Sequence, residues 1–257
     1  MAVPTTGDSL RVVIVGASSG LGRCIAVGLG RRGASVALLA RRRDRLEAAA
    51  MEAGEHSLAI ACDVTDEASC QAAIAEAVDG LGGIDALVYT PGVGPLYRLA
   101  DLDAATWRRA FDTNVIGASL VTAAALTHLA EAEGVAIYLS SVSASVTPPW
   151  PGLGAYAVTK AALDKLVEAW RGEHPQIGFT RVIVGDCAGG EGPGQTEFNA
   201  GWDMELAGEF AQTWVARNYL AGALLDVEEL VRMVDTIIRC GPTASIPSLT
   251  IAPRPPA

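Results

Sequence analysis

The stretch Val12-Val13-Ile14-Val15-Gly16-Ala17-Ser18-Ser19-Gly20-Leu21-Gly22 decides how this chain is read. Its β-branched run predicts a strand buried on both faces, its glycines predict a tight turn, and the small and apolar residues beyond Gly22 predict a helix. Glycines at such a turn let the backbone approach a pyrophosphate closely. The free N–H groups and the positive end of the helix dipole favour its negative charge. A glycine-rich turn alone is a weak signal, and the strand before it and helix after it give it weight.

Outward from this turn, short β-branched runs alternate with longer Ala- and Leu-rich helical patterns. Strands are predicted at Arg11 to Val15, Ser35 to Ala40, Leu58 to Ala61, Ala86 to Tyr89, Val135 to Ser140, Phe179 to Val184 and near Leu249 to Ile251. Helices are predicted at Leu21 to Arg32, about Asp44 to Ala53, Glu67 to Leu81, from Trp107 to Ala125 and beyond, about Tyr156 to Trp170, and Val227 to Arg239, the last capped by Asp226. This alternation predicts an α/β fold, a doubly wound parallel sheet of about seven strands with helices on both faces. A chain of 257 residues, half of them apolar, is long enough for one sizeable core, so residues 1–257 are expected to form a single domain. Residues 185–226, glycine-rich and then aromatic, fall where such a sheet carries its substrate-covering segment.

The net charge of −10 disfavours nucleic acid and anionic lipid as partners and favours a small molecule. The basic run Arg41, Arg42, Arg43, Arg45 is the local exception. Five scattered cysteines suit neither a disulfide framework nor a zinc site, so buried free thiols and no metal are expected. With no signal-like N-terminus and no uninterrupted apolar stretch of some 18 residues, a cytoplasmic protein without a membrane span is expected.

Tyr156-Ala157-Val158-Thr159-Lys160 puts a phenol and an ammonium one helical turn apart on one face. A nearby cation favours the phenolate, moving a group that ordinarily titrates near ~10 toward the range useful for acid/base catalysis. The predicted strand Val135 to Ser140 runs into Ser141 at the carboxyl edge, where ligands bind in open α/β sheets. Asn114 stands in an apolar helical stretch, where a polar residue either serves a site or makes a local backbone hydrogen bond that bends the helix.

Taken together, Gly16-x-x-x-Gly20-x-Gly22, Asp63-Val64, Asn114-x-x-Gly117, Ser140-Ser141-Val142 and Tyr156-x-x-x-Lys160 resemble the short-chain dehydrogenase/reductase family. The resemblance covers about residues 10 to 184 and the last helix and strand. It implies an oxidoreductase that interconverts a ketone or aldehyde and an alcohol, with Tyr156 as general acid/base and Lys160 lowering its pKa and binding the nicotinamide ribose. Ser141 would orient the substrate oxygen, with Ser143 as the alternative because its spacing to Tyr156 is the commoner one. Asn114 would hold a water linking the lysine to solvent. The implied dinucleotide site comprises Gly16, Ser18, Ser19, Gly20, Leu21, Gly22, Arg41, Arg42, Asp63, Val64, Gly92, Asn114, Tyr156, Lys160 and Thr196. The second strand ends in Ala40-Arg41-Arg42 with no acidic residue, which favours NADP(H) over NAD(H), because an Arg fork matches a 2′-phosphate.

Two segments depart from the family pattern. Tyr89-Thr90-Pro91-Gly92 replaces the usual Asn-Asn-Ala-Gly and removes amides that commonly steady the sheet and cofactor edge. Val184-Gly185-Asp186-Cys187 replaces the usual Pro-Gly, leaving Thr196 as the threonine expected to reach the nicotinamide carboxamide. Trp150, Phe198, Trp202, Phe210, Trp214 and Tyr219 are expected either to line a hydrophobic substrate pocket or to pack covering helices or a subunit contact. Family habit implies a homo-oligomer, a dimer or homotetramer. The competing readings are a non-catalytic dinucleotide-binding regulator on the same fold and, less suited to this length, an epimerase or dehydratase.

Overall fold

The computed structural model describes residues 9–190, 195–220 and 222–254. Strands β1 (Arg11–Val15), β2 (Ser35–Ala40), β3 (Ser57–Ala61), β4 (Ala86–Tyr89), β5 (Val135–Ser141), β6 (Gly178–Val184) and β7 (Ser248–Ile251) form one sheet in the order β3-β2-β1-β4-β5-β6-β7. Every pairing in it is parallel. The expected doubly wound sheet is therefore present, and the sequential strands part company between β1 and β4. That reversal opens a crevice at the carboxyl ends of both strands, where α/β sheets bind ligands.

Alternation within β1 shows why both faces must be covered. Val12 and Ile14 lie in one core layer with helices α1 (Gly20–Arg31), α2 (Arg43–Ala53) and α9 (Val227–Ile238). Val13 and Val15 lie in the other with α3 (Glu67–Leu81), α5 (Gly117–Glu131) and α7 (Gly154–Glu173). All four side chains are fully buried, so a one-residue slip of β1 would move every one of them to the wrong layer. Asp66 and Asp226 cap α3 and α9 through their side chains, as an acidic residue at a helix start does best.

Two elements differ from expectation. The helix expected from Trp107 begins at α4 (Ala104–Phe111), where Asp103 accepts from Thr106 N at 2.7 Å, and passes into α5 through a π-helical turn at Asp112–Ile116. Ala104–Glu131 is long and apolar enough, by length and composition, to cross a membrane. Its Val121, Ala125 and Leu129 are fully buried in the second core layer. The covering segment contains α8 (Met204–Ala216), and a short α6 (Val142–Ser145) follows β5 directly.

Candidate active site

A cleft of about 1060 Å³ opens at the reversal between β1 and β4. Gly16 and Gly20 have φ of +84° and +58°, a conformation that strains any other residue, and Gly16 N donates to Leu39 O at 2.7 Å to fix the turn to β2. A methyl group on Gly22 would lie 2.3 Å from Thr90 Oγ1 and 2.5 Å from Gly16 O. Ser19, at the start of α1, makes no side-chain cap, so the first amides of that helix stay available to an anion in the cleft.

Thr90 explains how the chain manages without the family's asparagine amides. Its N and Oγ1 both donate to Val15 O, at 3.1 and 2.7 Å, so one residue ties the end of β4 to the end of β1. The edge expected to be weakened is thus held by a hydroxyl packed into the space that Gly16 and Gly22 leave. Beyond it, Pro91 O accepts from Lys160 Nζ at 3.4 Å, and a methyl on Gly92 would meet that same nitrogen at 3.3 Å.

Of the paired arginines after β2, Arg42 reaches the glycine turn, donating to Ser18 Oγ at 2.9 Å and Ser19 Oγ at 3.0 Å. Arg41 is exposed on the cleft wall and helps hold the Asp63 carboxyl below its ordinary range, behind the larger effect of the Thr65 amide. Asp63 Oδ1 accepts from Thr65 N and Oγ1, at 3.0 and 2.8 Å, and Val64 lines the cleft beside it.

The residues expected to handle the proton, Ser141, Tyr156 and Lys160, also line the cleft. Lys160, 3 % exposed, donates to Leu139 O at 2.8 Å, and its Nζ lies 5.8 Å from the centre of the Tyr156 ring. Burial lowers the Lys160 pKa to about 8, opposed by the charge of Asp164. Burial also pushes the Tyr156 phenol up to about 12, while Ser141 pulls it down. Ser143 stands behind Ser141, its hydroxyl 3.0 Å from that of Ser141 and its amide donating to it at 3.3 Å.

Asn114 is fully buried in the π-helical turn, and its bonds are neither local nor directed at the lysine. Oδ1 accepts from Val93 N at 2.8 Å, and Nδ2 donates to Val93 O at 2.9 Å and Thr159 Oγ1 at 2.8 Å. The side chain therefore staples the loop after β4 to α7, and the extra residue of the π turn is where that staple enters the helix.

Asp164, absent from the sequence reading, continues the face of α7 that carries Tyr156 and Lys160 at steps of four residues. It is 4 % exposed, neither carboxylate oxygen has a hydrogen-bond partner among the described residues, and Arg181 Nη1 stands 3.7 Å away. Burial raises its pKa, with Ser140, Arg181 and Lys160 pulling the other way. Only its place four residues beyond Lys160 could have singled it out.

The facing wall comes from the covering segment. Thr196 lies against Gly20, with its Oγ1 3.4 Å from where a Cβ there would be, so it sits over the glycine turn. Phe198 meets the Tyr156 ring edge-on at 4.9 Å, and Trp202 meets Phe198 at 5.6 Å. Trp150, Leu153 and Trp214 form a third apolar cluster with these rings and with Phe210 and Tyr219. Trp150, Phe198, Trp202 and Trp214 also line the cleft, so the aromatic group both packs the covering segment and faces the site.

Comparison with known proteins agrees with this geometry. The chain is 34 % identical over 183 residues to an 11-beta-hydroxysteroid dehydrogenase-like protein of Arabidopsis thaliana, covering 68 % of this chain and 58 % of that one. It is 36 % identical over 156 residues to a serine 3-dehydrogenase of Agrobacterium fabrum, covering 59 % and 61 %. The match thus spans a little over half the length of these relatives. A solved short-chain type dehydrogenase/reductase from Mycobacterium marinum superposes with a TM-score of 0.81 at 26 % identity, covering 95 % of this chain and 94 % of that one. An alcohol dehydrogenase from Thermococcus sibiricus complexed with 5-hydroxy-NADP superposes at 0.78 and 24 % identity, covering 95 % and 96 %, a likeness of fold. The family described as short chain dehydrogenase matches residues 11–197, and the chain belongs to the short-chain dehydrogenase/reductase family of oxidoreductases.

Proposed function

We propose that this protein is an NADP(H)-dependent oxidoreductase interconverting an apolar ketone or aldehyde and the corresponding alcohol. The observation that carries the reading is the convergence of Ser141, Tyr156 and Lys160 on one wall of a cleft whose other end is the uncapped start of α1 with Arg42 over it. The residues present fit a dinucleotide: positive φ at Gly16 and Gly20, no room for a methyl at Gly22, and a guanidinium beside the turn. Gly16, Ser18, Ser19, Gly20, Leu21 and Gly22 would hold its pyrophosphate, Asp63 and Val64 its adenine, Arg41 and Arg42 its 2′-phosphate, and Gly92, Lys160 and Thr196 its nicotinamide half. Bound there, it would supply or accept the hydride at the substrate carbon.

Tyr156 holds the proton at its hydroxyl and gives it to the carbonyl oxygen in reduction, or takes it from the alcohol in oxidation. A phenol near 12 stays protonated at neutral pH, so the cation at Lys160 and the hydroxyl of Ser141 must favour the phenolate for it to take the alcohol proton. Ser141, nearest the phenol, orients the substrate oxygen, and Ser143 fixes the rotamer of Ser141. Asn114 keeps α7 and the loop after β4 in register, so that Lys160 and Gly92 stay together. The aromatic wall excludes water from an apolar substrate, and the chain works as a homo-oligomer in the cytoplasm.

Calorimetric titration with NADPH and NADH tests the cofactor. NADPH is expected to bind at least about tenfold more tightly, with the preference abolished in Arg42→Ala, since a charge-assisted fork to phosphate is worth about 1.5–3 kcal/mol. Equal affinities in both proteins would overturn it. If neither nucleotide binds, the non-catalytic reading fails along with the enzymatic one.

A further inference from the structure

Three consecutive residues of the covering segment touch three different parts of the cleft. Thr196 lies over Gly20, Phe198 lies on Tyr156, and Glu197 between them reaches two arginines more than a hundred and fifty residues earlier in the chain. One Glu197 oxygen accepts from Arg42 Nη1 and the other from Arg45 Nη1, the latter at 2.5 Å. Arg42 simultaneously holds the hydroxyls of Ser18 and Ser19 with its second terminal nitrogen. The two guanidiniums hold the Glu197 carboxyl below its ordinary range.

Two cations face one carboxylate here, so this ion-paired cluster keeps a positive charge that a single glutamate does not neutralise. A phosphate monoester carries about −1.5 to −2 charges and three acceptor oxygens, so it can outbid a carboxylate for the same donors. A ribose hydroxyl brings no charge and cannot. The contact is half-exposed, with side-chain exposures of 35 % for Arg42 and 40 % for Glu197, so displacing it is cheap.

We propose that Glu197 is a specificity-determining residue: it occupies the place beside Arg42, with Arg45 next to it, that the 2′-phosphate of NADP(H) would take, and yields that place to phosphate alone. The inference rests on the NADP(H) reading above. Glu197 acts by competition, lowering the affinity of every nucleotide that needs the arginines and leaving untouched any that does not. Because Phe198 is its neighbour, release of the carboxylate also frees the residue that packs on Tyr156, linking the phosphate end of the cleft to the reaction end.

The test titrates the full chain and Glu197→Gln with adenosine 2′,5′-bisphosphate and with adenosine 5′-monophosphate by calorimetry. Both probes lack the nicotinamide, so turnover plays no part. Glu197→Gln is expected to bind the bisphosphate about tenfold more tightly and the monophosphate within about twofold of wild type. In wild type the bisphosphate is expected to change the tryptophan fluorescence of the Phe198–Trp202 cluster, and the monophosphate is not. Unchanged bisphosphate affinity in Glu197→Gln, with wild type still preferring it, would overturn the role of Glu197 and spare the NADP(H) reading. Weaker monophosphate binding in the variant would instead make Glu197 a ligand of the ribose hydroxyls. If neither protein prefers the bisphosphate, the NADP(H) reading fails and takes this proposal with it.

Discussion

The two walls of the cleft are built on different principles. One is made of strand ends: the turn after β1, Thr90 after β4 and Ser141 closing β5, all tied by backbone hydrogen bonds to neighbouring strands. The other is a run of residues 195–220 that meets the body of the protein through side-chain contacts rather than strand pairing. Trp202 Nε1 donates to Gly94 O and Trp214 Nε1 to Pro151 O, both at 2.8 Å, and Arg98 pairs with Glu209. The proposed chemistry stands against the backbone-bonded wall: Ser141 belongs to it, and Lys160 on α7, one turn from Tyr156, donates to Leu139 O of β5. The wall facing the substrate can change its side chains without disturbing the sheet.

That contrast can be broken by substitution, most sharply at Tyr156. Tyr156→Phe is expected to lower turnover by about a hundredfold or more while leaving dinucleotide affinity within about threefold, measured by steady-state rates and calorimetry. Retained turnover would move the proton transfer elsewhere. On the strand-end wall, Gly22→Ala should cost about 2 kcal/mol or more in urea denaturation, because the methyl would overlap Thr90 Oγ1 and a backbone carbonyl. If it is tolerated, the strand-end wall is softer than its hydrogen bonds imply.

Lys160 adds a pH signature. Its folded pKa of about 8 lies below its ordinary 10.5, so between those values the unfolded chain binds the proton and the folded chain does not. Stability from this group therefore rises with pH across that window. The unfolding free energy of wild type relative to Lys160→Met should climb by on the order of 2 kcal/mol from pH 8 to 10.5. A flat difference would mean that Lys160 is not desolvated. The facing wall should respond least: Trp202→Phe, which loses one hydrogen bond to a carbonyl, is expected to cost about 1 kcal/mol, with a larger effect on KM than on kcat. A loss as large as that of Gly22→Ala would erase the distinction between the walls.

The same division decided what the sequence could tell. All seven strands fall within a residue or two of their expected places, because each is a short, mostly apolar run set off locally from the helical patterns around it. Tyr156, Lys160 and the glycine turn were legible for the same reason: each is a short motif on one element. The roles that escaped depend on partners far along the chain. Thr90 looked like a loss until its hydroxyl was found on Val15 O, and Arg42 could not be told from Arg41 without the positions of Ser18 and Ser19. Asn114 gives no local sign that it binds Val93 and Thr159, and Glu197 none that it spans to Arg42 and Arg45. The π-helical turn was invisible because Asp112–Ile116 carries no local residue that marks one additional residue in the turn.

The outer strand carries a consequence for how copies of this chain meet. β7 is four residues long, Ser248 and Thr250 in it are exposed, and Pro247 precedes it while Pro253 follows closely after it. Prolines carry no amide hydrogen to offer a neighbour, and so short a run gives a foreign strand little to zip onto. In concentrated solution this border should act as a stop, denying aggregates a template along which the sheet could grow from molecule to molecule.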